Sequence, residues 1–312
     1  MIEIELLHVK NPGLYTTVQD LGRPQAVASG VPPGGAMDRF AHSAANLIVG
    51  NERGAATLEC TLKGPHLVAA RACLIAVTGA NLEVRVNREE APMWTGIFLG
   101  EGDELAFGKR RSGARAYVAI AGGVAGDRWL GSLSTYAIAV RGGMHGRALI
   151  AGDVITGAAE PEEPLVSGRQ IPPHMRPPYG EHALGVIPGP HVDRLTDAAR
   201  AALFNSSFVV TPDSNRMGYR LDGPRLEAEG EELLSFGLVT GAVQLPSGGQ
   251  PILLMADHQT AGGYPVVAVV MSAAMPVAAQ LAPGDEVSFN EVTVDHALKL
   301  RADQRAALAS MS

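Results

Sequence analysis

The sequence predicts a mainly β protein with short helices, an α+β chain built from two similar β-barrel-like domains. Three observations carry that expectation. Short apolar runs are cut every few residues by the chain's 37 glycines and 21 prolines, the pattern of strands joined by tight turns. One stretch, GAAEPEEPLVSGRQIPPHMRPPYG (157–180), is rich in proline and lacks periodicity, as an extended connector does. A Gly/Pro turn leading into an Asp-Arg pair occurs on both sides of that stretch: GVPPGGAMDRF (30–40) and GVIPGPHVDRL (185–195) agree at six of eleven positions.

The predicted N-terminal domain spans 1–156. Its clearest helical spacing lies in MDRFAHSAANLIVGN (37–51), where Phe40, Ala44, Leu47 and Ile48 share a face and Gly50-Asn51 gives the stop signal. Strand-like runs follow: ATLECTL, LIAVTGA, LEVRVN, ELAFG and RAYVAIAGG, each bounded by Gly, Pro or Asn. The basic segment GKRRSGAR (108–115) between two of them reads as a solvated hairpin tip. After the connector (157–180), the second domain spans 181–312, with a short helix at 196–204. Each half carries a Gly-Asp-Glu turn into a strand, GEGDELAF (100–107) and APGDEVSF (282–289), though the two recurrences have unequal spacing. A cleft between two such halves would be the natural ligand site.

The totals narrow the function classes. A net charge of −7 argues against a general affinity for nucleic acid or anionic membrane. The longest apolar stretch, 266–282, contains Ser272, Pro276 and Gln280 and is too interrupted to span a bilayer. Cys60 and Cys73 have neither redox nor zinc spacing, so reduced buried thiols in a cytoplasmic protein are expected. The N-terminal residues show no secretory h-region. Phosphate-loop, dinucleotide, zinc-site and serine-elbow patterns are absent, no metal site is expected, and no lysine sits in a biotin-carrier setting.

Four polar islands beside glycine turns are the candidate chemistry. In TTVQDLGR (16–23), Gln19, Asp20 and Arg23 can form a carboxylate–guanidinium set, or simply close a strand. In GVPPGGAMD (30–38), Asp38 is either a helix cap or part of an anion-holding turn. In SNRMGYRL (214–221), Arg216, with or without Arg220, is suited to a carboxylate or phosphate. In GAVQLPSGGQPILLMADHQTAGGYP (241–265), Asp257 and His258 are candidate base and acid, and Gln244 and Gln259 candidates to orient an amide or urea-like group. There Gly262 and Gly263 allow close backbone approach, and Tyr264-Pro265 stiffens the loop.

In order, these islands together with LECTLKGP, AVTGA, YVAIAGGV, LGSLST and QLAPGDEVSF resemble the biotin-dependent carboxyltransferase family, also called the allophanate hydrolase subunit 2 family. The likeness runs from about residue 13 to 290. It implies two cyclophilin-like β-barrel domains related by internal pseudo-duplication. It also implies one of three roles. The first is that of the C-type component of an ATP-dependent 5-oxoprolinase, working with a homologous cyclophilin-like subunit of the B type and a lactam-utilisation subunit of the A type. The second is carboxyl transfer from carboxybiotin to urea or a related amide, as in urea amidolyase, with biotin on another chain. The third is regulation of a kinase-inhibitor partner. Leu133 stands where the family commonly has Arg, which removes one expected anion contact. The substrate expected in the first two roles is a small amide or lactam.

Overall fold

The computed structural model describes residues 4–159 and 168–310, so residues 160–167 of the predicted connector lie outside the described residues. The chain is mainly β with few helices. It forms two compact units: Met1–Arg23 with Gly34–Arg176 and Ala306–Ser312, and Pro24–Pro33 with Pro177–Arg305.

In the first unit a five-stranded antiparallel sheet runs Tyr15–Gln19, Thr57–Thr61, Ser112–Ile120, Cys73–Asn81, Gly96–Leu99. Because side chains alternate along a strand, each strand has two characters. Val18, Leu58, Cys60, Ile75, Val77, Ala116 and Val118 enter a hydrophobic core that also takes Leu7, Val9, Leu67, Leu105 and Ile155 from a six-stranded sheet. Each large aliphatic side chain buried there is worth about 1.5–3 kcal/mol. The alternate residues Thr17, Gln19, Thr57, Glu59, Thr78 and Tyr117 are polar, yet every one is buried. Helix α1 (Arg39–Ile48) contacts this sheet and is itself buried at every residue except Arg39. The sheet's second face is therefore a buried polar layer.

The expected strands form, but they are shared between the two sheets rather than joined into one barrel. Val84–Val86 and Glu104–Phe107 pair with each other in the six-stranded sheet, whereas Cys73–Asn81 and Ser112–Ile120 belong to the five-stranded one. The basic segment is consequently a crossing between sheets and not a hairpin tip. Arg111 there bridges Glu83 at 3.0 Å and Glu90 at 2.9 Å.

The second unit is a closed barrel of seven strands. Closure comes from parallel pairing of Ala183–Pro188 with Glu286–Glu291. Phe208 and Phe289 pack 5.9 Å apart, fully buried. Its helix α2 (Asp197–Asn205) is capped by Thr196, whose hydroxyl accepts from the Ala199 amide at 3.2 Å. In the first unit the capping residue is Asp38 itself, whereas Asp193 of the second Asp-Arg pair lies in a separate 3-10 turn, Val192–Arg194.

The Gly-Asp turns have one local geometry. Asp103, Asp153 and Asp285 each accept a hydrogen bond from the amide three residues earlier, at 2.7, 2.8 and 2.8 Å. Gly102, Gly152 and Gly284 precede them with φ of 84°, 91° and 92°. Two of the three belong to the first unit, so the similarity between halves at this point reflects a turn chemistry shared by three strand starts and not a one-to-one repeat.

Burial pushes the Cys60 thiol up to about 12 and the Cys73 thiol up to about 11. The thiolate is the reactive form. Native protein at pH 8 is expected to give almost no reaction with Ellman's reagent within minutes, and two thiols per chain after denaturation; fast labelling of either thiol in the native state would contradict the burial described.

Candidate functional site

The second unit brings Arg216, Asp257, His258, Gln259, Gln244 and Gly262 together. The strand Ile252–Leu254 ends where the chain turns back on the 214–218 turn: the Met255 amide donates to the Met217 carbonyl at 3.0 Å and the Asp257 amide to the Arg216 carbonyl at 2.8 Å. Those backbone bonds set two side chains opposite each other. Arg216 grips the Asp257 carboxylate through Nε at 2.8 Å and Nη2 at 3.2 Å, with each side chain about one-tenth exposed. A bidentate pair of this kind is directional and strong in a poorly hydrated setting. Arg220 is an exposed residue of the strand Gly218–Asp222, so the arginine fork has one member.

His258 is buried and its Nδ1 lies 2.6 Å from the Gln259 carbonyl. A carbonyl only accepts, so Nδ1 carries the proton and Nε2 the lone pair. Burial lowers the imidazole pKa, against smaller opposing contributions from that carbonyl and from Asp257. The ring is thus a neutral base at neutral pH. Gln259 Nε2 donates to Gln244 Oε1 at 2.9 Å, and the Nε2 of Gln244, a residue only 1% exposed, has no hydrogen-bond partner among the described residues. Gly263 is needed for room: a Cβ there would fall 2.7 Å from the Leu233 carbonyl oxygen. Tyr264 is half-exposed.

The first unit places the other predicted residues in a separate cluster. Asp20 accepts from the Gly22 amide, the Ser132 and Ser134 hydroxyls and the Leu133 amide, all within 2.7 Å. Arg23, fully buried, donates to the Ser134 carbonyl and lies 5.0 Å from the centre of the Trp129 ring. Asp20 and Arg23 therefore meet at Ser134, one at its hydroxyl and the other at its carbonyl. Gln19 donates to Thr17 and to the Thr135 carbonyl.

Asp38 caps α1 through the Ala41 amide at 2.9 Å and is wholly buried. Three successive amides of its turn are occupied: Ala36 donates to the Asp20 carbonyl, Met37 to Glu59 at 2.9 Å, and Asp38 to the Tyr117 hydroxyl at 2.8 Å. Tyr117 in turn donates to Glu59 at 2.8 Å. The turn already holds an anion, the carboxylate of Glu59.

Glu59, Tyr117 and His42 do not stand out in the sequence. In TLECT the polar residues Thr57, Glu59 and Thr61 alternate with apolar ones, which reads as a solvent face until a helix covers it. His42 sits four residues after Asp38, and the i, i+4 spacing of Asp38, His42 and Asn46 is the signal that could have found it. His42 Nδ1 lies 2.9 Å from Thr57 Oγ1. An open pocket of about 600 Å³ at the end of α1, lined by Leu47, Asn51, Arg53 and Arg169 among others, contains none of the predicted residues. Among the described residues no cluster of three or more His, Cys, Asp or Glu is placed to hold a metal ion.

The family profile described as carboxyltransferase domain, subdomain A and B, matches residues 29–291. The chain belongs to this carboxyltransferase family. Within it, the chain is 36% identical over 304 residues to the C-type subunit of the 5-oxoprolinase of Escherichia coli, covering 96% of both proteins. It is 33% identical to the urea amidolyase of Lachancea kluyveri, covering 97% of the chain but 18% of that much longer protein. The solved urea carboxylase of Kluyveromyces lactis superposes with a TM-score of 0.93 at 30% identity, over the whole chain and 30% of that protein. The mainly β architecture is therefore the carboxyltransferase-domain fold.

His42, wholly buried, has its pKa lowered to about 4, chiefly by burial. The unfolded chain then binds a proton near pH 6.5 that the folded chain refuses until about pH 4. This contribution to stability is present above pH 6.5 and is lost as pH falls through that window, by up to about 3 kcal/mol. In urea titrations between pH 4 and 7, His42→Gln is expected to flatten the pH dependence; an unchanged slope would show that His42 does not titrate this way.

Proposed function

We propose that the chain is the C-type component of a multi-subunit, ATP-dependent 5-oxoprolinase that converts 5-oxo-L-proline to L-glutamate in the cytoplasm. The observation that carries this reading is end-to-end correspondence: the chain and the C-type 5-oxoprolinase subunit of Escherichia coli cover 96% of each other, and the corresponding Haemophilus influenzae protein is matched over 94% of its length. The partners in this reading are a B-type cyclophilin-like subunit and an A-type lactam-utilisation subunit. Two β-rich domains divided near the proline-rich 157–180 segment are part of the same proposal.

The chemistry fits the second-unit cluster. A lactam carbonyl is a weak electrophile. In this scheme ATP gives its γ-phosphoryl group to the lactam oxygen and water adds at that carbon. The C–N bond then breaks with a proton delivered to nitrogen, and a second water releases phosphate. Such a reaction needs the amide held in place and protons moved at defined atoms. His258 Nε2 is the group suited to proton transfer. Asp257, clamped by Arg216, fixes the loop on which His258 stands. Gln244 and Gln259 present the amide-binding surface, with Gly262, Gly263 and Tyr264 shaping it. Gln19, Asp20, Arg23 and Asp38 are proposed as a second polar cluster for substrate contact, within the first unit. ATP is assigned to the partner subunits.

The second reading is carboxyl transfer from carboxybiotin to urea or a related amide, favoured by the superposition on the Kluyveromyces lactis urea carboxylase. His258 would then accept the proton of the substrate N–H, and biotin would arrive on another chain.

Two outcomes are expected. The purified chain alone should show no turnover of 5-oxoproline with ATP and should gain it on reconstitution with A- and B-type subunits, measured as glutamate released; full turnover by the single chain would refute the composite assembly. In the reconstituted complex, Asp257→Asn and His258→Ala should each lower kcat about tenfold or more while assembly survives gel filtration. Wild-type rates in both would remove this loop from the chemistry.

A further inference from the structure

The orientation of one buried amide says what the site reads. Gln244 closes the strand Ala242–Gln244 in the barrel wall and is 1% exposed. Its Oε1 is occupied by Gln259 Nε2 at 2.9 Å. That leaves Gln244 with its NH₂ group as its unused function, and this group has no hydrogen-bond partner among the described residues. A buried donor left unpaired is costly to the fold, and the simplest apolar replacement would avoid that cost.

A second, independent feature lies in front of the same nitrogen. A Cβ added to Gly262 would stand 3.3 Å from Gln244 Nε2 and 3.1 Å from Leu238 Cδ1. The Gly262 backbone is outside the left-handed region, so handedness does not demand glycine here. What the glycine supplies is an empty position at the amide. Gln259 Nε2 is 3.8 Å from that position, so both glutamine amides border it.

We propose that Gln244 Nε2 is a carbonyl-oxygen subsite, that Gln259 is the positioning residue fixing its polarity, and that Gly262 is the specificity-determining residue that keeps the subsite open. The ligand class is a small planar amide, lactam or urea. Such a group carries a C=O to accept from Gln244. An amine of the same size offers no acceptor and leaves the Gln244 donor unpaired, and a site of that kind discriminates strongly against ligands lacking the partner atom. This assignment rests on the second-unit cluster being the substrate site, but it does not depend on which carbonyl compound is the natural substrate.

The test is calorimetric titration of the assembled complex with 5-oxoproline, urea and L-proline, the last lacking the ring carbonyl, together with steady-state kinetics. Wild-type protein is expected to bind 5-oxoproline or urea at least tenfold more tightly than proline. Gln244→Glu still accepts from Gln259 but turns a carboxylate oxygen toward the ligand oxygen, and should weaken binding tenfold or more. Gly262→Ala should raise KM severalfold with the far-ultraviolet spectrum and melting temperature retained. Gln259→Leu should relax the preference for carbonyl ligand over proline, because Gln244 is then able to flip. Wild-type affinity and KM in Gln244→Glu and Gly262→Ala would overturn the inference while leaving the 5-oxoprolinase assignment intact. Absence of binding for every probe would also overturn it. Urea binding with the same losses, and no action on 5-oxoproline, would uphold the subsite and displace that assignment.

Discussion

The first unit is organised by a single buried carboxylate. Asp20 is 8% exposed, and its two oxygens take donors from Gly22 and from Ser132, Leu133 and Ser134, more than a hundred residues away. A carboxylate removed from water is tolerated only when its lone pairs are filled, so the 132–135 segment has little freedom in where it lies. Once there, Ser134 offers its carbonyl to Arg23, Thr135 offers its carbonyl to Gln19, and Trp129 is positioned for the Arg23 guanidinium to lie over it. On the other side the Asp20 carbonyl receives Ala36, and the turn that follows is fixed in turn by Glu59 and Tyr117. Local satisfaction of one charge thereby orders four stretches of chain.

The second unit solves the equivalent problem with a guanidinium. Arg216 and Asp257 neutralise each other, and the backbone bond from Asp257 to the Arg216 carbonyl ties the two loops at the same place. His258 and Gln259 are then held by short contacts, which is the rigidity that acid–base and positioning groups require. The pairs within this cluster meet the demands of folding, whereas the Nε2 of Gln244, on the neighbouring strand, is buried with no partner among the described residues. A local exception of that kind inside an otherwise satisfied network is where binding is to be sought.

Much of this is legible in the residues alone. Turn residues and apolar runs indicate the strands, since Gly, Pro and Asn interrupt them close to their ends. Asp257, His258, Gln259 and Gln244 are legible as a group because polar side chains between apolar runs need partners. Which strands join which sheet is not, because local pattern carries no record of pairing across the chain: Ser112–Ile120 follows Glu104–Phe107 directly, yet lies in the other sheet. Glu59 and Tyr117 are hidden for a related reason. Their alternation matches that of a wet strand face, and only α1, placed by long-range contacts, makes the face dry. Arg216 and Asp257 are each visible as candidates, but their commitment to one another depends on a turn far upstream of the loop it grips.

The glycines of this chain separate into two kinds with different consequences for protein chemistry. At Gly102, Gly152 and Gly284 an added Cβ would meet nothing within 4 Å, and only the positive φ excludes ordinary residues. These positions ask for a mirror-image residue: a D-alanine introduced by chemical ligation would adopt the same φ without strain, and would stiffen the unfolded chain besides. Gly263 is the reverse case, since the obstacle there is the Leu233 carbonyl at 2.7 Å and not the backbone angle. An L-alanine there would press on that carbonyl whatever its backbone angle, so the barrel loop has far less latitude for ordinary substitution than the surface turns have for a mirror-image one.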